Sequence, residues 1–418
     1  MKIALLSESL PPALTGQAVV LYRLLQCFSA DEYCLISSYD WQSEKKESAS
    51  PGALPGKYYA LAPLVRFNKG YRWGLMDARA NINIPMGVFQ RARQVTEIVK
   101  REKCDALVAC TGDLLDLPAG YLASRRAGIP FYFYIFDHYS YREWQSRAAT
   151  QWAQRFERWL MKKAESVIVP NETLRDELRK QYGIEAVVIH NSFDISPYER
   201  SRQPDPDRTR HDNVRIVYTG DVYEAHYDAF RNLLAAIAEL PGPRVQLHLY
   251  TDRTLDELAA QDIRGELVLH KARPTTEMPL IQMNADILFL PLAFKSPYPD
   301  LIRTSATSKL AEYLAAGRPV LVHAPSDSFI SWYFRQHQCG IVVDQLDPTV
   351  LAREIQHLLN DEELQQRLSE RAWQRARADF DITTARKTFR SLLERGIRTS
   401  SGLKYQSTAA INTSGCLM

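Results

Sequence analysis

Residues 307–321, TSKLAEYLAAGRPVL, decide the fold of the second half of the chain. The run predicts a helix over residues 308–316 and a buried strand over residues 319–322. A short apolar run, ILFL at residues 287–290, predicts another buried strand ahead of it. Strands and helices that alternate at this spacing are typical of a parallel sheet covered by helices.

The same alternation continues outward from this stretch, over residues 2–190 and again over residues 214–359. Within the first part, a helix is predicted over residues 91–103, and the segment 58–83 before it is unassigned. Residues 194–213 are dense in Pro, Asp, Arg and Ser, which is typical of a linker. We therefore expect two doubly wound α/β domains. In such domains ligands bind at the carboxyl ends of the strands, where the strand order reverses.

The composition is that of a globular protein and excludes several classes. Of the 418 residues, 45% are hydrophobic and 24% are charged, and the formal net charge is +3. Because this charge is so balanced, no nucleic-acid partner is expected. The six cysteines have no metal-ligand spacing, which predicts reduced thiols and no metal site. No apolar run reaches the roughly 20 residues of a membrane span. The reduced thiols predict a cytoplasmic protein.

Four blocks of sequence resemble the retaining family 4 group of GT-B glycosyltransferases. They are residues 9–17 (SLPPALTGQ), residues 155–169 with 187–194, residues 217–221 (VYTGD), and residues 286–291 with 307–321. The resemblance extends over nearly all of the chain. It implies transfer of a sugar from a nucleotide-sugar donor to an acceptor hydroxyl, with retention, in polysaccharide or glycolipid synthesis.

The resemblance also implies a GT-B architecture, in which two Rossmann-like domains face a cleft. Residues 1–195 would form the acceptor-side domain, and residues 196–375 the domain that binds the nucleotide sugar. A helix over residues 376–397 would return to the first domain. Residues 398–418 are mostly polar and small, which predicts a disordered tail.

The implied donor site combines two glycines with the start of one helix. Gly16 and Gly220 would allow the donor to approach the backbone closely. Ser308 and Lys309 open a predicted helix whose free N–H groups and dipole favour phosphate. Glu312, one turn further on, would accept hydrogen bonds from two ribose hydroxyls.

Catalysis is assigned to His138 and Lys309. His138 follows a predicted strand, where relatives often place a histidine near the donor sugar, and its neutral ring would hydrogen-bond a hydroxyl. The alternative for His138 is a structural turn. Lys309, with Arg303, would stabilise the departing diphosphate. Neither a metal nor a cofactor is implied beyond the nucleotide-diphosphate sugar. Asp113 and Asp116, at another strand end, are further candidates for acceptor contact.

Two residues depart from the family pattern. Asp221 stands where relatives carry an arginine that grips the diphosphate, and a carboxylate at that place would repel phosphate. Thr304 stands where most relatives have a glutamate, eight residues before Glu312. These departures leave open whether activity is altered or lost.

The acceptor is expected to be a sugar or a lipid-linked sugar. Two aromatic and basic segments suit a surface beside anionic lipid: residues 66–73, and the helix with Trp144, Trp152 and Trp159. They predict a peripheral contact with the inner face of a membrane. The alternative for the helix is that its tryptophans are buried in the domain core.

Two other functions remain open on the same architecture. A nucleotide-sugar epimerase would need acid and base groups in the cleft, and the pattern at Ser308, Lys309 and Glu312 matches a transferase better. A non-catalytic partner that kept the fold would explain Asp221 and Thr304.

Overall fold

The structure is a computed structural model of the chain. It describes residues 1–13, 15–41, 53–66, 76–136, 139, 144, 146–201, 213–241 and 244–412. The chain forms two compact units. The first comprises Met1–Ile189 with Thr384–Met418, and the second comprises His190–Thr383.

Each unit is built on one parallel sheet. The strands are β1 (Ile3–Leu6), β2 (Tyr33–Ser37), β3 (Lys57–Ala60), β4 (Ala106–Cys110), β5 (Phe131–Tyr134), β6 (Ser166–Val169), β7 (Val187–Val188), β8 (Val214–Thr219), β9 (Val245–Thr251), β10 (Leu267–Lys271), β11 (Ile287–Pro291), β12 (Val320–His323) and β13 (Ile341–Val343). The first sheet has the order β3-β2-β1-β4-β5-β6-β7, and the second has the order β10-β9-β8-β11-β12-β13.

Helices connect the strands and cover the sheets. They are α1 (Gly16–Leu25), α2 (Met76–Arg101), α3 (Asp116–Ala127), α4 (Arg147–Met161), α5 (Glu172–Tyr182), α6 (Ser196–Ser201), α7 (Tyr227–Glu239), α8 (Leu255–Ala259), α9 (Met278–Met283), α10 (Pro299–Thr304), α11 (Ser308–Ala315), α12 (Phe329–His337), α13 (Pro348–Asn360), α14 (Glu362–Asp379) and α15 (Ile382–Asn412). The two α/β units confirm the predicted fold class.

The central strands are continuous apolar runs because helices bury both of their faces. Every residue of β1 is buried, and β1 pairs in parallel with β2 and β4. Every residue of β11 is likewise buried, between β8 and β12. The strand order therefore reverses between β1 and β4 in the first unit and between β8 and β11 in the second. Ligand sites are expected at the carboxyl ends of these four strands.

Helix α2 begins earlier than its sequence pattern indicated. The prediction started at residue 91, whereas the helix starts at Met76 and contains Pro85. A proline inside a helix removes one backbone hydrogen bond and usually marks an end. Here the buried face of α2, which includes Ile84 and Val88, packs in the core of the first unit and keeps the helix continuous.

The C-terminal helix α15 packs on the first unit. The Arg386 guanidinium donates two hydrogen bonds, of 2.9 and 2.6 Å, to the carbonyl of Arg23. The Tyr132 hydroxyl donates to the carbonyls of Leu392 and Leu393. The helix is described through Asn412, beyond the start of the predicted tail at residue 398, and residues 413–418 lie outside the described part.

Aromatic residues of α4 pack against other aromatic rings of the first unit. Trp159 meets Tyr121 edge-on, with 4.9 Å between ring centroids, and Trp152 packs beside Phe156. Of the basic and aromatic segment 66–73, only residue 66 is among the described residues. Within the described residues, no helix is long and apolar enough to cross a membrane.

Candidate active site

The second unit has a corner where β8 meets the start of α11. Gly220 follows β8 directly and has a φ of +123°, a conformation that side-chain-bearing residues rarely adopt. A Cβ at Gly220 would lie 2.5 Å from Cε and 2.9 Å from Nζ of Lys309. The Lys309 side chain therefore lies directly against the Gly220 backbone. We call this place the Gly220–Lys309 corner.

Lys309 is a partly desolvated cation at this corner. Its ammonium lies over the Tyr218 ring, 5.1 Å from the centroid. Burial lowers the pKa of Lys309, and the Glu312 and Asp221 carboxylates oppose that effect. Among the residues that the structure describes, none forms a hydrogen bond or ion pair with the ammonium. A desolvated ammonium in that position favours an anionic ligand.

The start of α11 adds a second attraction for anions. The helix begins at Ser308, and the side chain of the N-cap residue Thr307 makes no capping hydrogen bond. The first N–H groups of α11 are thus not satisfied by the N-cap side chain. Together with the helix dipole, they favour a phosphate beside Lys309.

Glu312 is held one turn further along α11 by a network of buried polar groups. The Gln282 amide is fully buried and donates to Glu312 Oε2 at 3.3 Å and to Thr219 Oγ1 at 3.1 Å. Its oxygen accepts a 2.6 Å hydrogen bond from the Tyr198 hydroxyl. The Tyr313 hydroxyl accepts from the Thr219 backbone N–H at 2.9 Å, which joins the end of β8 to α11.

His226 is a neutral base close to the same corner. Burial, with a smaller effect from the Lys309 ammonium, lowers the pKa of His226 to about 3. The imidazole is 5% exposed, and its Nδ1 has no hydrogen-bond partner within the described residues. The ring is therefore uncharged at neutral pH.

The Asp221 carboxylate, which departs from the family pattern, forms an ion pair. Asp221 accepts two hydrogen bonds from the Arg253 guanidinium, which reaches it from the loop after β9. Both side chains line a cavity of about 380 Å³, together with Gly220, Thr251 and Ala272. Since Arg253 offsets the charge of Asp221, the carboxylate does not leave a bare negative charge at the corner.

Arg303, which was predicted for the donor site, and Thr304, which departs from the family pattern, make contacts within their own helix. Arg303 on α10 forms an ion pair with Asp300 at 2.7 Å. The Thr304 hydroxyl donates to the carbonyl of Asp300 within the same helix and is 8% exposed. The structure therefore brings Gly220 against Lys309, which shares α11 with Ser308 and Glu312. Arg303 instead forms its ion pair within α10.

Gly16 begins α1 in the first unit. The Thr15 side chain caps this helix by accepting a hydrogen bond from the Ala18 N–H. A Cβ at Gly16 would meet no atom within 4 Å, so the described residues leave open space over this glycine. His138, the predicted catalytic histidine, lies outside the described residues.

The first unit has a larger cavity, of about 660 Å³, at the carboxyl ends of β1 and β4. Glu8 and Asp113 line it, and so do residues of α2. Behind them, Nη1 of the buried Arg91 donates to Asp113 and, at 2.7 Å, to Asp116. Burial and the neighbouring Asp113 raise the pKa of Asp116 to about 8, against the attraction of Arg91.

No sequence pattern predicted Arg253, Gln282 or Glu8 as residues of a site. A polar Gln282 in the otherwise apolar run MPLIQM was the one local signal for a buried polar network. Within the described residues, no group of three His, Cys, Asp or Glu side chains could hold a metal ion.

Comparisons with known proteins agree with the division of the chain into two units. Residues 15–197 match the family described as Glycosyltransferase Family 4, and residues 213–361 match the family described as Glycosyl transferases group 1. No functionally curated protein matches the sequence significantly.

Solved structures share the fold at low sequence identity. The Anabaena protein Alr3699/HepE in complex with UDP has a TM-score of 0.66 at 17% identity, over 94% of this chain and 100% of that one. Sucrose-phosphate synthase from Thermosynechococcus elongatus has a TM-score of 0.62 at 14% identity, over 98% and 100%. The trehalose 6-phosphate synthase from Burkholderia multivorans has 0.62 at 11%, over 96% and 99%.

Proposed function

Because this chain is a GT-B glycosyltransferase of the family 4 type, which transfers a sugar from a nucleotide-sugar donor, we propose that its second unit binds the donor diphosphate at the Gly220–Lys309 corner. The observation that carries this proposal is the Lys309 ammonium, which is partly desolvated, lies against Gly220 and stands at the start of α11. A diphosphate there would gain both the charge and the helix N–H groups.

Glu312 binds the ribose in this proposal. Its carboxylate can accept from two vicinal hydroxyls, and the Gln282 amide fixes it in place. The cavity that Gly220 and Ala272 line would hold the base in this proposal. The HepE structures hold UDP or UDP-glucose, which makes uridine diphosphate sugars the first donors to test.

Lys309 has the central chemical role. As the bond between sugar and phosphate breaks, negative charge grows on the diphosphate, and a fixed cation stabilises that charge more than it stabilises the bound donor. The likeness to family 4 supports retention, with the leaving phosphate helping to take the acceptor proton. Gly16 and His138 would act from the first unit, and no metal has a part in the proposal.

The acceptor is a sugar or lipid-linked sugar bound by the first unit. A peripheral contact with anionic membrane belongs to the same proposal. Its support is the exposed side chains of Ile82 and Phe89 on α2, with the exposed Arg93 one turn after Phe89. Co-sedimentation with anionic but not zwitterionic vesicles is expected, and a chain that binds neither would remove this contact.

A thermal-shift panel of uridine, guanosine and adenosine diphosphate sugars tests donor binding. A bound donor raises the melting temperature by an amount that grows with the ratio of its concentration to its dissociation constant. The Lys309→Ala variant should lose most of the response, whereas Lys387→Ala, an exposed lysine on α15, should keep it. A chain that no nucleotide sugar stabilises would contradict the proposal.

Product analysis tests the reaction. With an α-linked donor, retention predicts an α-linked product by NMR, and a β-linked product would overturn it. If the nucleotide sugar is converted to its epimer without any acceptor, the chain is a nucleotide-sugar epimerase. Donor binding without turnover under all conditions would identify a non-catalytic relative.

A further inference from the structure

Two buried cysteines lie side by side at the amino ends of the strands in the first unit. Cys34 is the second residue of β2, and Cys104 lies between the end of α2 and the start of β4. Their sulfur atoms are 3.7 Å apart, although the two residues are 70 positions apart in the sequence. Neither thiol belongs to the proposed donor site, and within the described residues the two form the one thiol–thiol contact.

Backbone hydrogen bonds hold both cysteines in place. Cys34 pairs with Ala4 of β1 in the parallel sheet. The Cys104 N–H donates a 3.0 Å hydrogen bond to the carbonyl of Val99 in α2. A disulfide bond is about 2.05 Å long, so the two sulfurs need to approach each other by less than about 2 Å. The fold therefore keeps the two thiols close enough to be joined by a small movement of their side chains.

The two thiols differ in access and in acidity. Cys34 has no exposed surface, whereas Cys104 is 6% exposed. The hydrogen bond from the Cys34 thiol, helped by the Lys2 ammonium, lowers the pKa of Cys104 against the effect of burial. The same hydrogen bond, together with burial, raises the pKa of Cys34. Since the thiolate is the reactive form of cysteine, Cys104 is the thiol that reacts first.

The charged groups beside the thiols favour a thiolate at Cys104. The Lys2 ammonium forms a 2.6 Å ion pair with Glu102, and the Lys57 ammonium lies 3.0 Å from the same carboxylate. The carboxylates of Glu102 and Asp105 oppose a negative charge on Cys104, but the effect of Lys2 on this thiol is larger than that of either one. A cysteine with a lowered pKa beside a second thiol is the arrangement found at redox-sensitive sites.

We propose that Cys104 and Cys34 form a reversible disulfide when the chain meets a peroxide. The Cys104 thiolate attacks one peroxide oxygen, the O–O bond breaks, and the leaving hydroxide takes up the proton that Cys104 had released. Cys34 then attacks the sulfur of the resulting sulfenic acid, the S–O bond breaks, and a second water leaves with the Cys34 proton. Both sulfurs are oxidised, and both peroxide oxygens are reduced to water. A thiol reductant restores the two cysteines.

The disulfide should stabilise the first unit. It would join β2 to the segment before β4 and close a loop between residues 70 positions apart, which reduces the conformational entropy of the unfolded chain. The oxidised chain should therefore melt at a higher temperature than the reduced chain, and dithiothreitol should reverse the shift. A melting temperature that falls on oxidation would contradict this stabilising role.

Peptide mass spectrometry of the unmodified full chain tests the disulfide without any substitution. The folded protein would be reduced, freed of reductant, treated with hydrogen peroxide, and digested after its remaining thiols are alkylated. A peptide that links Cys34 to Cys104, with the loss of two hydrogen atoms and reversal by dithiothreitol, is expected. If both cysteines are recovered as alkylated thiols while the exposed Cys27 is oxidised, the proposal is overturned.

Variants test the order of the two steps. In Cys34→Ser the sulfenic acid on Cys104 has no thiol to attack it, so dimedone should label Cys104. In Cys104→Ser dimedone should leave Cys34 unlabelled. Cys110→Ser and Cys339→Ser, which remove other buried thiols, are the matched controls and should keep the disulfide. Labelling of Cys34 in Cys104→Ser, with none of Cys104 in Cys34→Ser, would overturn the assigned order, and melting curves check that each variant is folded.

Discussion

Arg253 forms a bidentate ion pair with Asp221, with Nε–Oδ1 and Nη2–Oδ2 distances of 2.8 and 3.1 Å. The two residues are 32 positions apart, and the pair stands beside Gly220 in the cavity of the second unit. The Arg253 guanidinium offsets the charge of the Asp221 carboxylate, which alone would repel a diphosphate. The charge at this corner therefore depends on both members.

Variants of the two members should affect donor affinity in opposite directions. Arg253→Ala leaves the Asp221 carboxylate without its counter-charge, so the dissociation constant for UDP should rise about three- to tenfold. Asp221→Asn frees the guanidinium for phosphate, so UDP should bind equally or more tightly. Calorimetry measures both.

The pair between Arg244 and Glu266 is the matched control, because it lies at the amino ends of β9 and β10. Arg244→Ala should leave UDP affinity unchanged. A stronger loss from Asp221→Asn than from Arg253→Ala would contradict this account of the corner.

Glu312→Ala should weaken UDP binding by about 2–4 kcal/mol, because two charge-assisted hydrogen bonds to the ribose are lost. Calorimetry is the measurement, and Glu363→Ala on the exposed face of α14 is the control. Gln282→Leu should reduce affinity less, since Glu312 stays but is no longer fixed. Unchanged affinity in Glu312→Ala would remove this carboxylate from the donor site.

Lys309→Ala should lower kcat by about 10² or more and weaken UDP binding by a smaller factor. The reason is that charge on the leaving diphosphate is greatest in the transition state. Steady-state kinetics with the donor that the thermal-shift panel identifies would measure both effects. A raised KM at constant kcat would assign Lys309 to binding alone.

The two glycines proposed for the donor site should respond differently to alanine. Gly220→Ala forces a strained φ and displaces Lys309, so both the melting temperature and the activity should fall. In Gly16→Ala the new Cβ meets no atom of the described residues within 4 Å, so the melting temperature should be unchanged, while turnover falls if the donor approaches this glycine. Full activity in Gly16→Ala would place the donor elsewhere.

Glu102 should make stability depend on pH in the acid range. Hydrogen bonds from Lys2, Tyr59 and Lys57 lower the pKa of Glu102 to about 2 from an ordinary 4.5. A depressed carboxyl pKa stabilises the fold above about pH 4.5, and this stabilisation is lost as the pH falls towards 2.

The variant Glu102→Gln tests this dependence. It should lower the free energy of unfolding by about 1–3 kcal/mol at pH 7 and by less at pH 3, as measured by urea unfolding. Glu97→Gln should change little at either pH because that ion pair is exposed. An equal loss at both pH values would show that the charge of Glu102 does not matter.

Local spacing made some features of this chain predictable from its sequence. Buried strands such as β1 and β11 are continuous apolar runs, and their alternation with helices predicts a parallel sheet in each unit. Lys309 and Glu312 are three residues apart on one helix, so their shared placement also follows from sequence. Helix α2 was only partly predicted, because tertiary packing carries it past Pro85.

The amino-acid sequence by itself determined the two α/β units and the run from Ser308 to Glu312, because strand burial and helical spacing are local properties of the chain. Only the tertiary structure decided that Arg253 balances Asp221 and that Gln282, 30 residues away, fixes Glu312. It also decided that Glu8, Asp113 and α2 enclose one cavity. These groups come from separate elements, and their meeting depends on strand order and helix packing, which no local pattern specifies.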